Sequence, residues 1–287
     1  MALHAPMPIP AVTRLLQECY EEAEAATRES LETDFLDKGE VFITELFHGR
    51  LRAAAREANA KDRLKRAFVE DLSSTFPELR NSGELEGIAS GIRATATLHH
   101  GSLETHTGGD LGIVFVRPCV SGNSHAGVLK VCRDHRRGLL CQAKMKQRSS
   151  QGRKERWRAL TDNQRLVLPE QLEYLSLLLY EYQDNDRDAL APFQWQLCSE
   201  STIGDVEDWL ASGSFPAILN TSSLIGGLAQ DRIGTDDRDA IERYIGPGVR
   251  PSLIVEIGWP PGKGPQGEVW VHRQPKQTTR QEIRVVM

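Results

Sequence analysis

Two apolar segments constrain the fold of this chain more than any other feature. Residues 109–116 are almost continuously apolar, which predicts a β-strand buried on both faces. Residues 139–145 form a second apolar run that carries Gln142 and Lys144. Because side chains alternate between the faces of a strand, Gln142 and Lys144 point to the same side. If the two strands are neighbours, Asp110 lies at the same end of the sheet, and the three polar side chains form one cluster.

The overall composition is that of a globular protein without a membrane segment. The chain has 287 residues, 39% hydrophobic and 26% charged, which is ample for a substantial core. No apolar run approaches the roughly 20 residues that a membrane span needs, and the N-terminus lacks the features of a secretory signal. The cysteines number five, an odd count without CxxC spacing, which favours reduced thiols over disulfides or a zinc site. We therefore expect a cytoplasmic protein.

The first third of the chain is predicted to be helical. Apolar residues at helical spacing predict helices over residues 11–31, 38–58 and 61–73, the last of them ended by Pro77. In the second of these helices, one narrow apolar stripe is assigned to Phe42, Leu46, Gly49 and Ala53.

The rest of the chain mixes strands and helices. We expect a half-exposed strand over residues 91–99 and a long connection over 118–137, in which 127–132 could be a strand of its own. Residues 169–182 begin as a helix and could pass directly into a buried strand. The remaining elements are a strand over 193–197, a helix over 206–210, a Gly-rich tail over 213–248 with a loop at Ser222, Ser223, Gly226 and Gly227, and late strands over 251–259 and 268–272.

This pattern predicts three parts. They are an N-terminal helical segment (1–37), an α/β domain (38–210) and a C-terminal extension (211–287) that packs on the domain or completes it.

Basic residues are concentrated in one part of an acidic chain. The net charge is −5, yet residues 128–158 contain eleven basic residues against Asp134 and Glu155. Such an asymmetry is typical of a surface that binds a polyanion, although a solvated basic loop would give the same pattern. The basic residues are Lys130, Arg133, Arg136, Arg137, Lys144, Lys146, Arg148, Arg153, Lys154, Arg156 and Arg158.

The polar cluster has the residue types that phosphodiester hydrolysis requires. That reaction needs a hard cation held by carboxylates and water, and a positive group beside the attacking water. Asp110 supplies a carboxylate, Lys144 the positive group, and Gln142 a carbonyl oxygen in place of a second carboxylate. A further acidic residue would strengthen the site. Glu45, at the margin of the apolar stripe of its helix, is the best candidate, and Glu104 is the second.

These residues resemble a known nuclease superfamily. The arrangement Asp110 … Gln142-Ala143-Lys144, with Glu45 on a preceding helix, is similar to the PD-(D/E)XK nucleases, which have the restriction-endonuclease-like fold. The Gln-for-Glu form is similar to that of Mrr-like restriction endonucleases. The strings ETHTGGD, ending at Asp110, and LLCQAK, ending at Lys144, also resemble bacterial anti-phage effector nucleases. The resemblance covers residues 38–182. Gly109 stands where the superfamily name has proline, and the long interval from Asp110 to Gln142 implies an insertion or an extra strand.

The resemblance implies both a fold and an activity. The fold would be α/β, a mixed sheet flanked by helices, and the activity Mg²⁺- or Mn²⁺-dependent cleavage of DNA in anti-phage defence or restriction. Asp110, Glu45 and Gln142 would hold the metal, and Lys144 would be the catalytic lysine. Lys146, Arg148 and Arg153 would contact phosphates. Cutting both strands implies a homo-oligomer, and control of a toxic activity implies a regulatory, ATPase or helicase partner. RNA stays open as a substrate.

Other interpretations of the same residues stay open. The fold could act without catalysis, as a nucleic-acid-binding or scaffold subunit. Asp110 could be a turn residue at a strand start, Gln142 and Lys144 could lie on an exposed edge strand, and Glu45 could be a solvated helix carboxylate. A metal site among His99, His100 and His106 is disfavoured, because the adjacent His99 and His100 on a strand point to opposite faces and do not easily bind one ion.

Overall fold

The fold is an open mixed β-sheet with helices packed on its faces. The computed structural model describes residues 7–31, 39–60, 62–77, 85, 89, 92–99, 102–123, 128–147, 156–182, 189–246, 256–258, 270–272 and 284–286. The helices within these ranges are α1 (Pro10–Glu29), α2 (Glu40–Ala60), α3 (Arg63–Thr75), α4 (Ser102–Thr107), α5 (Asp162–Val167), α6 (Ile203–Ser212), α7 (Thr221–Ala229) and α8 (Arg238–Ala240). None of the helices in these ranges has the length and apolar character needed to cross a membrane.

Ten strands lie in the same ranges. They are β1 (Arg93–Leu98), β2 (Leu111–Asn123), β3 (Val128–Gln147), β4 (Arg156–Trp157), β5 (Leu175–Tyr180), β6 (Gln194–Leu197), β7 (Ile218–Asn220), β8 (Glu256–Gly258), β9 (Trp270–His272) and β10 (Arg284–Val286). The main sheet has the order β1-β2-β3-β5-β6-β7, and β4 and β8 also pair with β3. Neighbours in this order are antiparallel except for β3 and β5, which run parallel. β9 and β10 pair with each other.

Apolar side chains from both faces of the sheet are buried, as the continuous apolar pattern of residues 109–116 predicted. Ile113 and Phe115 pack with α1, α2, α3 and α7 on one face. Val114 and Val116 pack on the other face, against a 3₁₀ helix (Leu168–Tyr174), α6 and a π-helical turn (Ile241–Ile245) that follows α8. The site described below therefore lies between two apolar layers.

The predicted helical first third is confirmed, but the buried face of α2 was assigned wrongly. Its core residues are Ile43, Phe47 and Leu51, each at most 2% exposed. Phe42, by contrast, is 39% exposed, and Gly49 and Ala53 also face solvent. Apolar residues occur nearly all around the first turns of this helix, so their spacing alone did not identify the face that packs on the sheet.

Two further predictions are corrected by the structure. Residues 118–137, predicted as a connection, belong mostly to β2 and β3, which pair along their length as a long antiparallel ladder with a register shift at Pro118/Cys119. The segment predicted as a helix from 169 is a 3₁₀ helix that passes directly into the buried strand β5, the alternative left open above.

Residues of the predicted C-terminal extension (211–287) contribute to the same sheet and apolar layer as the residues before them. β7 extends the main sheet beside β6, and α7 contributes Leu224, Ile225 and Leu228 to the same apolar layer as α1. The segment predicted as a loop at Ser222–Gly227 is helical because Asn220 caps it, accepting from Ser223 N at 2.7 Å. The predicted late strands at 251–259 and 268–272 lie largely outside the described residues, apart from β8 and β9.

The start of α1 is held by a residue of another helix. Ile9, the N-cap residue, makes no side-chain cap, and Pro10 has no N–H to satisfy. The free N–H groups of Ala11 and Val12 donate instead to the two carboxylate oxygens of Asp71 on α3, at 2.9 and 3.0 Å. The buried Asp71 thus replaces a local cap and attaches α1 to α3.

We expect Asp71→Ala to lower the free energy of unfolding by about 1–2 kcal/mol, because two buried backbone donors lose their acceptor. Urea unfolding followed by circular dichroism measures the change. Ser74→Ala is the matched control, since the Ser74 hydroxyl bonds only to the Glu70 carbonyl of its own helix and is exposed. Equal stability of the two variants would contradict the capping role.

Candidate active site at the ends of two paired strands

Asp110 immediately precedes β2 and is fixed by backbone hydrogen bonds to β3. In the β2–β3 ladder Leu111 lies opposite Cys141, and the Asp110 N–H donates to the Cys141 carbonyl at 2.8 Å. The Asp110 carboxylate reaches the other strand as well, where its Oδ2 accepts from Ala143 N at 2.7 Å. The preceding turn uses Gly108 at φ +68°, a left-handed conformation that favours glycine. The expectation that Asp110 lies at the end of a neighbouring strand is confirmed.

Gln142 and Lys144 of β3 point to the same side, as strand alternation predicted. Gln142 Nε2 donates to Asp110 Oδ2 and, at 3.0 Å, to the Ala143 carbonyl. The side chains of Gln142 and Lys144 are 0% and 1% exposed. They therefore belong to the buried interior of a central strand, and the exposed edge-strand interpretation does not hold.

Gln164 joins these two residues and was missed by the sequence analysis. Its Oε1 accepts from Lys144 Nζ at 3.0 Å, and its Nε2 donates to Gln142 Oε1 at 2.9 Å. Gln164 is the third residue of α5, whose N-cap is Thr161, and the two form a capping box. The Thr-x-x-Gln spacing is a recognisable helix-start signal, but it does not reveal which strand the glutamine side chain meets.

The carboxylate that α2 brings to the cluster is Glu40, and the structure does not bring Glu45 there. Glu40 is 7% exposed, and its Oε2 accepts from Met145 N at 2.9 Å. Glu45 lies on the exposed side of α2. The reason is the phase of the helix: Glu40 precedes the buried Ile43 by three residues and so shares its face. The second-choice carboxylate, Glu104 on α4, is half-buried, and its charge acts on Asp110, Glu40 and Lys144.

Burial dominates the electrostatics of the cluster. It raises the pKa of Asp110 to about 7; the Ala143 N–H and Lys144 oppose the increase, and the Glu40 charge adds to it. Burial likewise raises the pKa of Glu40, against the opposing effect of Lys144 and Arg158. It lowers the pKa of Lys144, where the two carboxylates act in the other direction. The uncharged forms are favoured because little water reaches these groups.

The hydrogen bonds leave specific atoms available for a ligand. Within the described part of the chain, the carboxylate of Asp110 accepts only through Oδ2 and that of Glu40 only through Oε2. Lys144 makes a single hydrogen bond there, to Gln164, which leaves two of its N–H donors. Two carboxylate oxygens beside an ammonium suit Mg²⁺ or Mn²⁺, which bind one or two carboxylates and complete their shell with water or phosphate oxygens.

Gln142, the remaining predicted metal ligand, is not oriented to bind a metal beside Asp110. The amide nitrogen of Gln142 faces Asp110, whereas its oxygen faces Gln164. A metal on this arrangement would therefore be held by Asp110 and Glu40. Across the described ranges, no group of three or more His, Cys, Asp or Glu side chains is placed to hold a metal ion, so water or substrate would supply the other ligands.

Of the three predicted phosphate-binding residues, Lys146 is the one that lies among the described residues. Lys146 is half-buried and forms an ion pair with Glu181, while Arg148 and Arg153 lie outside the described residues. Arg158, exposed after β4, is held by a bond from its N–H to the Met145 carbonyl at 3.1 Å. Its charge acts on both Glu40 and Lys144, so it brings a solvent-exposed positive charge to the cluster.

Comparison with protein-family models and with curated proteins finds no match for this chain. Its function must therefore be inferred from the geometry of the site.

We expect Asp110→Asn to stabilise the metal-free protein at pH 8. Burial raises the pKa of Asp110 from 3.8 to about 7, so between these values the folded protein binds more protons than the unfolded chain, and stability falls as pH rises. The substitution removes the buried charge, and its oxygen can still accept from Ala143 N. The gain, a Tm increase of about 2 °C or more at pH 8, should shrink towards pH 5.

Thermal unfolding at a series of pH values checks this dependence. Asp208→Asn on the exposed side of α6 is the matched control, since it removes a solvated carboxylate. A pH-independent difference between Asp110→Asn and wild type would show that the Asp110 charge does not carry the effect.

Proposed function

We propose that this protein is a metal-dependent endonuclease that hydrolyses phosphodiester bonds in DNA. One observation carries the proposal: Asp110 and Glu40 both bond to the backbone of β3 on either side of Lys144, and the charges of these three buried side chains act on one another. The cluster contains more acidic than basic charge, and each carboxylate keeps an oxygen for a cation. The restriction-endonuclease-like fold is part of the same proposal, supported by the parallel β3–β5 pair within an otherwise antiparallel sheet.

Each residue has a distinct role in this proposal. Asp110 and Glu40 would hold the divalent cation through the carboxylate oxygens that accept no hydrogen bond among the described residues. Bound there, Mg²⁺ or Mn²⁺ would polarise the scissile phosphate and lower the pKa of a bound water. Lys144 donates its remaining N–H groups to a phosphate oxygen and to the attacking water, which stabilises negative charge and orients the nucleophile. Gln142 holds the Asp110 carboxylate in place through its amide nitrogen.

The substrate is proposed to be a nucleic acid because an exposed cation acts on the cluster and further basic residues lie near it in the sequence. Arg158 is exposed and its charge acts on Glu40 and Lys144, and Arg156 and the basic residues at 148–154 precede it in the sequence. Contacts of this kind bind phosphates without reading bases and weaken steeply with salt. DNA is chosen over RNA on the resemblance to restriction and anti-phage nucleases, which also suggests a homo-oligomer that cuts both strands and a partner protein that controls it.

We expect the wild-type protein to cut plasmid DNA with Mg²⁺ or Mn²⁺ and to lose activity in EDTA. Lys144→Met should reduce the rate by at least about 100-fold, because the charge that orients the nucleophile is lost. A plasmid nicking assay, run beside a structured RNA of similar length, measures both activity and substrate class. Equal cutting by wild type and variant would contradict the proposal.

Two glutamates of α2 form a matched pair for the same assay. Glu40→Gln should abolish metal-dependent cutting, whereas Glu45→Gln should retain it, because only Glu40 contacts β3. The opposite result would identify Glu45, the residue predicted from the sequence, as the carboxylate of α2 that binds the metal.

A non-catalytic subunit with the same fold is the second candidate. It is favoured by the continuous chain of hydrogen bonds from Lys144 through Gln164 and Gln142 to Asp110, which forms without a metal. Metal-dependent stabilisation separates the candidates. A metal that binds only the folded protein adds about 2.7 kcal/mol of stability at 100 times its Kd, and this gain should be lost in Asp110→Asn. No Tm change in wild type on adding Mn²⁺ would support the non-catalytic subunit.

A further inference from the structure

The orientation of both glutamine amides in the cluster follows from groups that can only donate. The Thr161 N–H and the Lys144 ammonium both donate to one atom of Gln164, at 3.1 and 3.0 Å, so that atom is the amide oxygen. The Gln164 nitrogen then faces Gln142 at 2.9 Å and requires an acceptor. The partner atom is therefore the oxygen of Gln142.

The contacts of the terminal nitrogen of Gln142 fix the same orientation of its amide independently. The Ala143 carbonyl, which can only accept, lies 3.0 Å from the terminal nitrogen of Gln142. The same nitrogen donates to the Asp110 carboxylate. In each amide the oxygen faces the Lys144 side of the cluster and the nitrogen faces the Asp110 side. Reversing one amide alone would place two donors or two acceptors against each other.

We propose that Gln164 is a positioning residue that sets the orientation of the Gln142 amide and so determines which atoms of the site can bind a metal. In the orientation present, Gln142 is a donor to Asp110 and only the two carboxylates serve as ligands. With Gln142 reversed, its oxygen would lie beside Asp110 and become a third ligand. The metal part of this inference rests on the proposed function, whereas the orientation of Gln142 does not.

Gln164→Glu tests the coupling, because it keeps the acceptor for Lys144 and Thr161 but replaces the donor to Gln142 with an acceptor. With a metal bound, Gln142 should then reverse to donate to the new carboxylate and turn its oxygen towards Asp110, because the cation would offset the repulsion between the oxygens at that end. We expect Mn²⁺, titrated calorimetrically into the full chain, to bind at least tenfold more tightly than to wild type. This titration measures metal affinity and does not depend on DNA cleavage.

Two variants separate a reversed amide from an added charge. Asn163→Asp places the same charge on the neighbouring residue of α5, where the side chain bonds to the Thr105 carbonyl away from Gln142, and it should leave the affinity near that of wild type. In a Gln142→Met background, Gln164→Glu should give no tenfold gain, because the oxygen that turns is absent. A gain of equal size in either variant would overturn the proposal.

A metal-free measurement keeps this inference distinct from the proposed function. If Gln164 orients Gln142, the Tm losses of Gln164→Met and Gln142→Met should not add, and the double variant should lose little more than the worse single variant. Additive losses would overturn the positioning role. Non-additive losses together with no Mn²⁺ binding by any variant would support the positioning role and contradict the endonuclease.

Discussion

The pairing of β2 with β3 is the constraint on which the rest of the molecule depends. These two strands form the longest ladder among the described residues, with Leu111 opposite Cys141 and Asn123 opposite Val128 at its ends. The ladder separates two apolar layers, because alternate residues of β2 pack on opposite faces. Its register also places Asp110 across from the residues that follow Cys141. A shift of one residue would send Gln142 and Lys144 to the other apolar layer and disperse the cluster.

Burial of the cluster makes its hydrogen bonds decisive. A buried charge is strongly destabilising unless neighbouring groups compensate it, and Lys144 is 1% exposed. Its direct partner is the neutral oxygen of Gln164, and the negative charges that act on it come from Glu40 and Asp110. The ammonium is therefore attracted by two carboxylates without being bonded to either of them, and part of its donor capacity is available for the phosphate of the proposed substrate.

The strands and their polar residues were predictable because strand alternation is a local rule. It identified the face shared by Gln142 and Lys144, and the apolar run before Val116 identified a doubly buried strand. The carboxylate on α2 was not predictable in the same way. Apolar residues occur on several sides of that helix, and only packing against the sheet selects the face of Ile43 and Phe47. Gln164 is a different case, since its capping pattern was visible but its tertiary partners depend on how α5 docks.

The excess of acidic groups in the cluster determines how it would respond to pH and to divalent cations. Asp110 and Glu40 share one buried ammonium, and burial raises the pKa of both carboxyl groups. Protons and divalent cations relieve the same desolvation and the same repulsion, so they would compete for these oxygens, and acid would weaken the binding of a metal. The amides of Gln142 and Gln164 do not titrate in this range. They can therefore keep their hydrogen bonds to Asp110 and Lys144 when the carboxyl groups change charge.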